Sequence, residues 1–92
     1  MTCYIISYEL QNKHVNEKVL DAIKSYPKYA HIFDKTWAVV TDKEATDIRD
    51  HLKTIINPDE DRIFIIKSGE EAGWANVVCE KSWLHKYLMN EY

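Results

Sequence analysis

The chain has 92 residues, 46% hydrophobic and 29% charged, with a formal net charge of −3 from 12 Lys and Arg against 15 Asp and Glu. That apolar content excludes intrinsic disorder, and the length suits one domain small enough for dimerisation to help bury its surface. No basic stripe is visible, since the piece richest in lysine, 24–28, is interrupted by Ser25, Tyr26 and Pro27; strong unaided binding of DNA or RNA is therefore disfavoured.

The first element is read from Thr2-Cys3-Tyr4-Ile5-Ile6-Ser7-Tyr8-Glu9-Leu10. β-Branched and aromatic residues suit a pleated, buried surface. Both alternation sets are largely apolar, with Tyr4, Ile6 and Tyr8 on one face and Cys3 and Ile5 on the other, so this strand is expected inside a sheet. The polar stretch Gln11-Asn12-Lys13-His14 leads into a helix whose apolar stripe is Val15, Val19, Ala22, Ile23 and Tyr26, stopped by Pro27. Two short strands follow at 29–33 and 36–41, and the gap Asp34-Lys35 suits a hairpin.

Thr41-Asp42-Lys43-Glu44 has the spacing of a capping box, Thr41 covering free amides and Glu44 reaching back. The helix it opens carries Ala45, Ile48, Leu52 and Ile55 on one face and ends at Asn57-Pro58. Asp59-Glu60-Asp61 reads as a solvated turn before a second doubly apolar strand, Ile63-Phe64-Ile65-Ile66-Lys67. The order to this point is the split βαβ, ferredoxin-like α+β order βαββαβ. A loop at 68–73, a short edge strand at 74–79 and a helix at about 80–90, with Trp83, Leu84, Tyr87 and Leu88 on one side, complete the reading. The expectation is one domain over 1–92, with a core at 2–67 and a C-terminal extension at 68–92.

In this fold both core helices cover one sheet face, so the apolar residues on the other face need a cover. The tail bearing Trp74 and Trp83 and a second copy of the chain are both expected to contribute, which implies a homodimer. Trp37, Trp74, Trp83 and Tyr87 are the expected core and interface anchors. Cys3 and Cys79 lack CxxC spacing and read as reduced, buried thiols. The N-terminus enters a strand without a basic region or cleavage site, which points to a cytoplasmic protein, and no apolar run reaches the roughly 18 residues of a membrane span.

Ile6-Ser7-Tyr8-Glu9-Leu10, Asp34-Lys35-Thr36-Trp37-Ala38-Val39 and Ile48-Arg49-Asp50-His51-Leu52 together resemble the small bacterial SinR-family proteins. Those are similar in turn to the scaffold subunit of the CRISPR adaptation complex and to VapD-type ribonucleases. The resemblance runs from residue 2 to about 74, taking in the loop Ser68-Gly69-Glu70 and Trp74. It implies a ferredoxin-like subunit that dimerises through its sheet, in families tied to nucleic acids, mobile elements or toxin systems. In the CRISPR-associated relatives the strand-1 carboxylate is an aspartate, and two of them across the dimer can hold a divalent cation. Glu9 stands at that position and is one methylene longer, which alters a site needing a fixed carboxylate.

Three groups are candidates for chemistry: Glu9 as a metal ligand doubled by dimer symmetry, and His31 with Asp34 as acid–base helpers if the hairpin curls toward strand 1. Each has a plainer reading, a solvated strand end for Glu9 and a packed imidazole for His31. Asp47 and His51, four apart on a helix, form a further pair whose usual role is a small gain in stability. Ser7 lacks a base and nucleophile-elbow glycines, and no phosphate loop, zinc spacing or dinucleotide fingerprint occurs. The expected function is thus a non-catalytic dimeric interaction module without a cofactor, contacting a protein partner in a defence, toxin–antitoxin or phage-related system. The alternatives are a metal-dependent endonuclease or ribonuclease using Glu9 with magnesium or manganese, and an acidic inhibitor made by a mobile element.

Overall fold

A computed structural model describes residues 1–69 and 72–88 of the chain. Its elements are β1 (Thr2–Glu9), α1 (Lys13–Lys24), β2 (Lys28–Phe33), β3 (Thr36–Thr41), α2 (Ala45–Lys53), β4 (Arg62–Lys67) and α3 (Lys81–Leu88). The strands form one antiparallel sheet in the order β2-β3-β1-β4, the ferredoxin-like arrangement expected from the element order. β1 lies inside the sheet, with Tyr4, Ile6 and Tyr8 in the core beneath the helices and Cys3 in the core of the other face. Its Ile6 pairs with Trp37 on one side and Ile65 on the other, and Ile5 with Ala38 and Ile66.

One core lies between the sheet and α1 and α2. Tyr4, Ile6, Tyr8, Trp37 and Val39 supply the strand side, and Val19, Ala22, Ile23, Tyr26, Ile48 and Leu52 the helix side. α1 starts where Asn12 Oδ1 accepts from the His14 and Val15 amides at 2.8 and 3.4 Å, satisfying donors that have no partner inside the helix. α2 starts later than the spacing of Thr41 and Glu44 predicts. Glu44 itself is the N-cap, and Asp47 Oδ2 accepts from the Glu44 amide at 3.0 Å. Thr41 instead accepts from the Lys43 amide at 3.2 Å, closing a local turn. A carboxylate in the first helical turn also faces the positive end of the helix dipole, which favours the later start.

Asp61 also corrects the sequence reading, because it is not solvated. It is 8% exposed, and its two carboxylate oxygens accept from the Gln11 amide at 2.9 Å and the Asn57 amide at 2.8 Å. This one side chain ties the end of β1 to the turn after α2. Asp61→Ala would leave both amides without that acceptor and should cost about 2 kcal/mol. Urea unfolding measures it, and a cost below about 0.5 kcal/mol, the range of ordinary surface substitutions, would refute the bridge.

The opposite sheet face carries a second core of Cys3, Ile32, Ala38 and Val40 covered by Leu84, Tyr87 and Leu88, with Trp74, Val77, Cys79 and Trp83 packed partly against it. The expected edge strand at 74–79 does not form; this segment is irregular. Asn76 sits at φ 57°, a left-handed conformation that breaks any extended run at its middle. A single amide, Val78 N–H, reaches Ile32 O at 2.7 Å. α3 follows as expected, although positions 89–90 of the predicted helix, and Glu70 and Glu71 of the preceding loop, lie outside the described residues.

Candidate functional site

Among the described residues, the C-terminal segment covers the β2–β3–β1 part of its sheet face and leaves the β4 side bare. Alternation and register place Ile5, Ser7 and Glu9 of β1 on this face, in rows with Ile66, Phe64 and Arg62 of β4. Phe64 is 61% exposed, Ile66 51% and Phe33 52%. Phe33 joins them because the β2–β3 register shifts between His31 and Phe33, and Phe33 then pairs with Thr36. Between this strip and the covering segment runs an apolar groove of about 400 Å³ lined by Ile5, Phe33, Ile66, Trp74, Leu84 and Leu88, among others. The Ser7 and Thr36 hydroxyls that cross the strip satisfy each other, Ser7 Oγ and Thr36 Oγ1 lying 3.1 Å apart. A contiguous apolar surface of this kind suits another macromolecule better than a small polar substrate.

The three groups proposed for chemistry do not converge. Glu9 faces Arg62, its register partner, with Oε2 3.6 Å from the guanidinium nitrogen, both side chains exposed. His31 lies on the other sheet face, where its ring stacks on Trp37 at 4.4 Å between centroids. Asp34 stands exposed in the hairpin turn, next to Lys35 at φ 62°. The cause is strand alternation, which sends Glu9 and His31 to opposite sides however the hairpin curls. Asp47 and His51 are likewise engaged apart. Asp47 holds the Glu44 amide, and His51 Nδ1 lies 3.2 Å from the Tyr26 hydroxyl. Burial pushes the Tyr26 phenol above its ordinary value, and the Asp47 charge adds to this. Among the described residues no three His, Cys, Asp or Glu side chains come together as a metal site.

The aromatic anchors fall into two groups. Trp37 is buried on the helix side, flanked by His31 and Tyr29, with Lys24 Nζ 5.8 Å from its ring centre. Trp74, Trp83 and Tyr87 belong to the C-terminal cover, with Trp83 packed on Tyr87 at 4.6 Å. Lys28 Nζ donates to the Tyr87 hydroxyl at 2.6 Å and holds that phenol below its ordinary value. Both cysteines are free thiols, Cys3 buried and Cys79 half-buried.

No protein-family model matches the chain, and no curated protein matches it. A solved structure does. A hypothetical protein from Thermus thermophilus superposes with a TM-score of 0.66 at 14% identity, over 83% of this chain and 93% of that one. The likeness is one of fold. It supports the ferredoxin-like architecture independently of the sequence pattern. Among the described residues no helix is long and apolar enough to cross a membrane.

Proposed function

We propose that this chain is a non-catalytic interaction module that works as a cytoplasmic homodimer and docks a protein partner through the bare part of its sheet. The observation that carries the reading is the exposure of Phe64, Ile66 and Phe33 on one side of the sheet. A small domain that keeps such groups in water gains by covering them. The resemblance to SinR-family, CRISPR-adaptation and VapD-type proteins supports a setting in defence, toxin–antitoxin or mobile-element biology. The acidic balance of −3 fits a protein partner better than a nucleic-acid backbone.

Light scattering at micromolar concentration should give twice the chain mass of 10.9 kDa. A mass of one chain throughout the concentration range would overturn the homodimer. The nuclease alternative requires a cation to offset charge at the attacking and leaving oxygens. At Glu9 that cation would compete with the Arg62 guanidinium 3.6 Å away. Magnesium- or manganese-dependent cleavage by wild type, lost in Glu9→Ala with the mass unchanged, would replace this proposal by an enzyme.

A further inference from the structure

We infer that β4 is a docking edge for a second copy of this chain, the two β4 strands pairing antiparallel about a two-fold axis at Phe64 to join both sheets into one. This rests on the homodimeric reading above and specifies its geometry.

The backbone bonding pattern identifies which groups of β4 are free. Tyr8 N–H donates to Lys35 O at 3.1 Å, and Ser68 N–H donates to Cys3 O at 2.9 Å. In an antiparallel sheet, successive residues aim their N–H and C=O groups at alternate neighbours. Even-numbered residues of β1 therefore bond toward β3 and odd-numbered ones toward β4. The β4 partners of Ile5, Ser7 and Glu9 are Ile66, Phe64 and Arg62, so these three bond inward. Ile63, Ile65 and Lys67 turn their backbone groups to the outer edge, beyond which no described strand lies.

The two sheet edges are treated differently. β2 carries a register irregularity and receives Val78 N–H at Ile32, both of which obstruct further pairing. β4 runs Arg62-Ile63-Phe64-Ile65-Ile66-Lys67 with a regular register and no charge or proline between its ends. Natural edge strands that stay unpaired usually carry one of those protections.

The strand is complementary to itself with Phe64 on the axis. With Phe64 opposite Phe64 of the other copy, Ile63 faces Ile65, and both residues of the pair have outward backbone groups. Lys67 then faces Asp61 of the other copy, whose carboxylate stays held by its own Gln11 and Asn57 amides. The Asp61 amide is held by Asn57 O at 2.9 Å, which leaves the Asp61 carbonyl to accept from Lys67 N–H. A slip of one residue would set outward groups against inward ones and place Arg62 opposite Lys67. Two Ile63–Ile65 pairs close the helix side of the seam, and the two Phe64 rings meet on the other. The bare strips of both copies become one surface across the axis, available to the partner protein.

The same geometry separates the two Glu9 carboxylates. Three strand spacings of about 4.8 Å and four residues of about 3.4 Å put them roughly 20 Å apart, too far to share one cation.

Cross-linking tests the register. In a Cys3→Ala, Cys79→Ala background, Phe64→Cys should form a covalent dimer under mild oxidation. Residues facing each other on the axis without mutual hydrogen bonds have Cα atoms about 4.5 Å apart, within disulfide range. Phe33→Cys, on the same face but away from the edge, should stay monomeric on a denaturing gel. Ile63→Pro deletes one outward N–H and leaves the inner ladder intact; it should be folded by circular dichroism and run at the mass of one chain. A wild-type dimer that persists in Ile63→Pro and gives no Phe64→Cys cross-link would overturn the edge pairing while the homodimer stands. A wild type of single-chain mass would overturn both. If Ile63→Pro unfolds, the presence or absence of the Phe64→Cys cross-link decides.

Discussion

Ile6→Ala is expected to destabilise the fold by about 4 kcal/mol. Ile6 is fully buried in the central strand, between Trp37 and Ile65 in register and beneath the helix layer. Alanine there forfeits the transfer energy of three carbons and leaves a cavity that sheet and helices, being rigid elements, cannot close. A domain of this size has roughly 5–15 kcal/mol in total, so the variant should be close to the limit of folding. Urea denaturation followed by far-ultraviolet circular dichroism gives the number. A cost under about 1 kcal/mol would mean that the sheet does not sit against α1 and α2 as described.

Leu84→Ala should cost about 3 kcal/mol, with a different character. Leu84 is fully buried on α3 and belongs to the cover over Cys3, Ala38 and Val40. Because Leu84 anchors α3 in that cover, its loss should loosen the C-terminal segment before the rest unfolds. Cys3 reports this directly. Its thiol is 1% exposed, and burial pushes its pKa up to about 11, with a Ser68 hydrogen bond opposing weakly. At pH 8 the wild-type Cys3 should therefore react slowly with a thiol reagent, behind the half-buried Cys79. Leu84→Ala should raise the Cys3 rate at least tenfold. Equal Cys3 rates in the two proteins would show that α3 is not its cover.

The raised Cys3 pKa also has a sign for stability. Below the ordinary thiol value of 9.0 both folded and unfolded chains carry the neutral thiol, and the group has no effect on pH dependence. Between 9.0 and about 11 the unfolded chain loses its proton while the folded one keeps it, so stability falls as pH rises through that window.

Much of the core could be read without coordinates. Val19, Ala22 and Ile23, and later Ile48 and Leu52, recur at helical spacing, and each is buried where the spacing placed it. The two-faced β1 is an inner strand, as its pattern suggests. β4 is apolar on both faces too yet lies at the edge, so two apolar faces do not by themselves fix a strand's place in the sheet. The capping of α2 was misplaced because Thr41 and Glu44 satisfy the same local pattern as Glu44 and Asp47. Which pair caps depends on where the chain leaves β3. Asp61 gave no sequence signal, since a carboxylate among acids looks solvated until Gln11, 50 positions away, brings its amide to it.

For the candidate surface, sequence alone determined that the sheet has more apolar face than two helices can cover, because β1 and β4 are apolar on both sides. Tertiary structure decided which part stays bare. The left-handed turn at Asn76 and the Val78–Ile32 bond carry the described part of the tail over β2 and β3, and Phe64 stays exposed. The irregularity after His31 turns Phe33 to the same side. Alternation likewise sent Glu9 and His31 to opposite faces, dispersing a grouping that looked feasible in one dimension. Periodicity is a local property and survives in the sequence; the choice of neighbour across a sheet is settled by packing between distant segments.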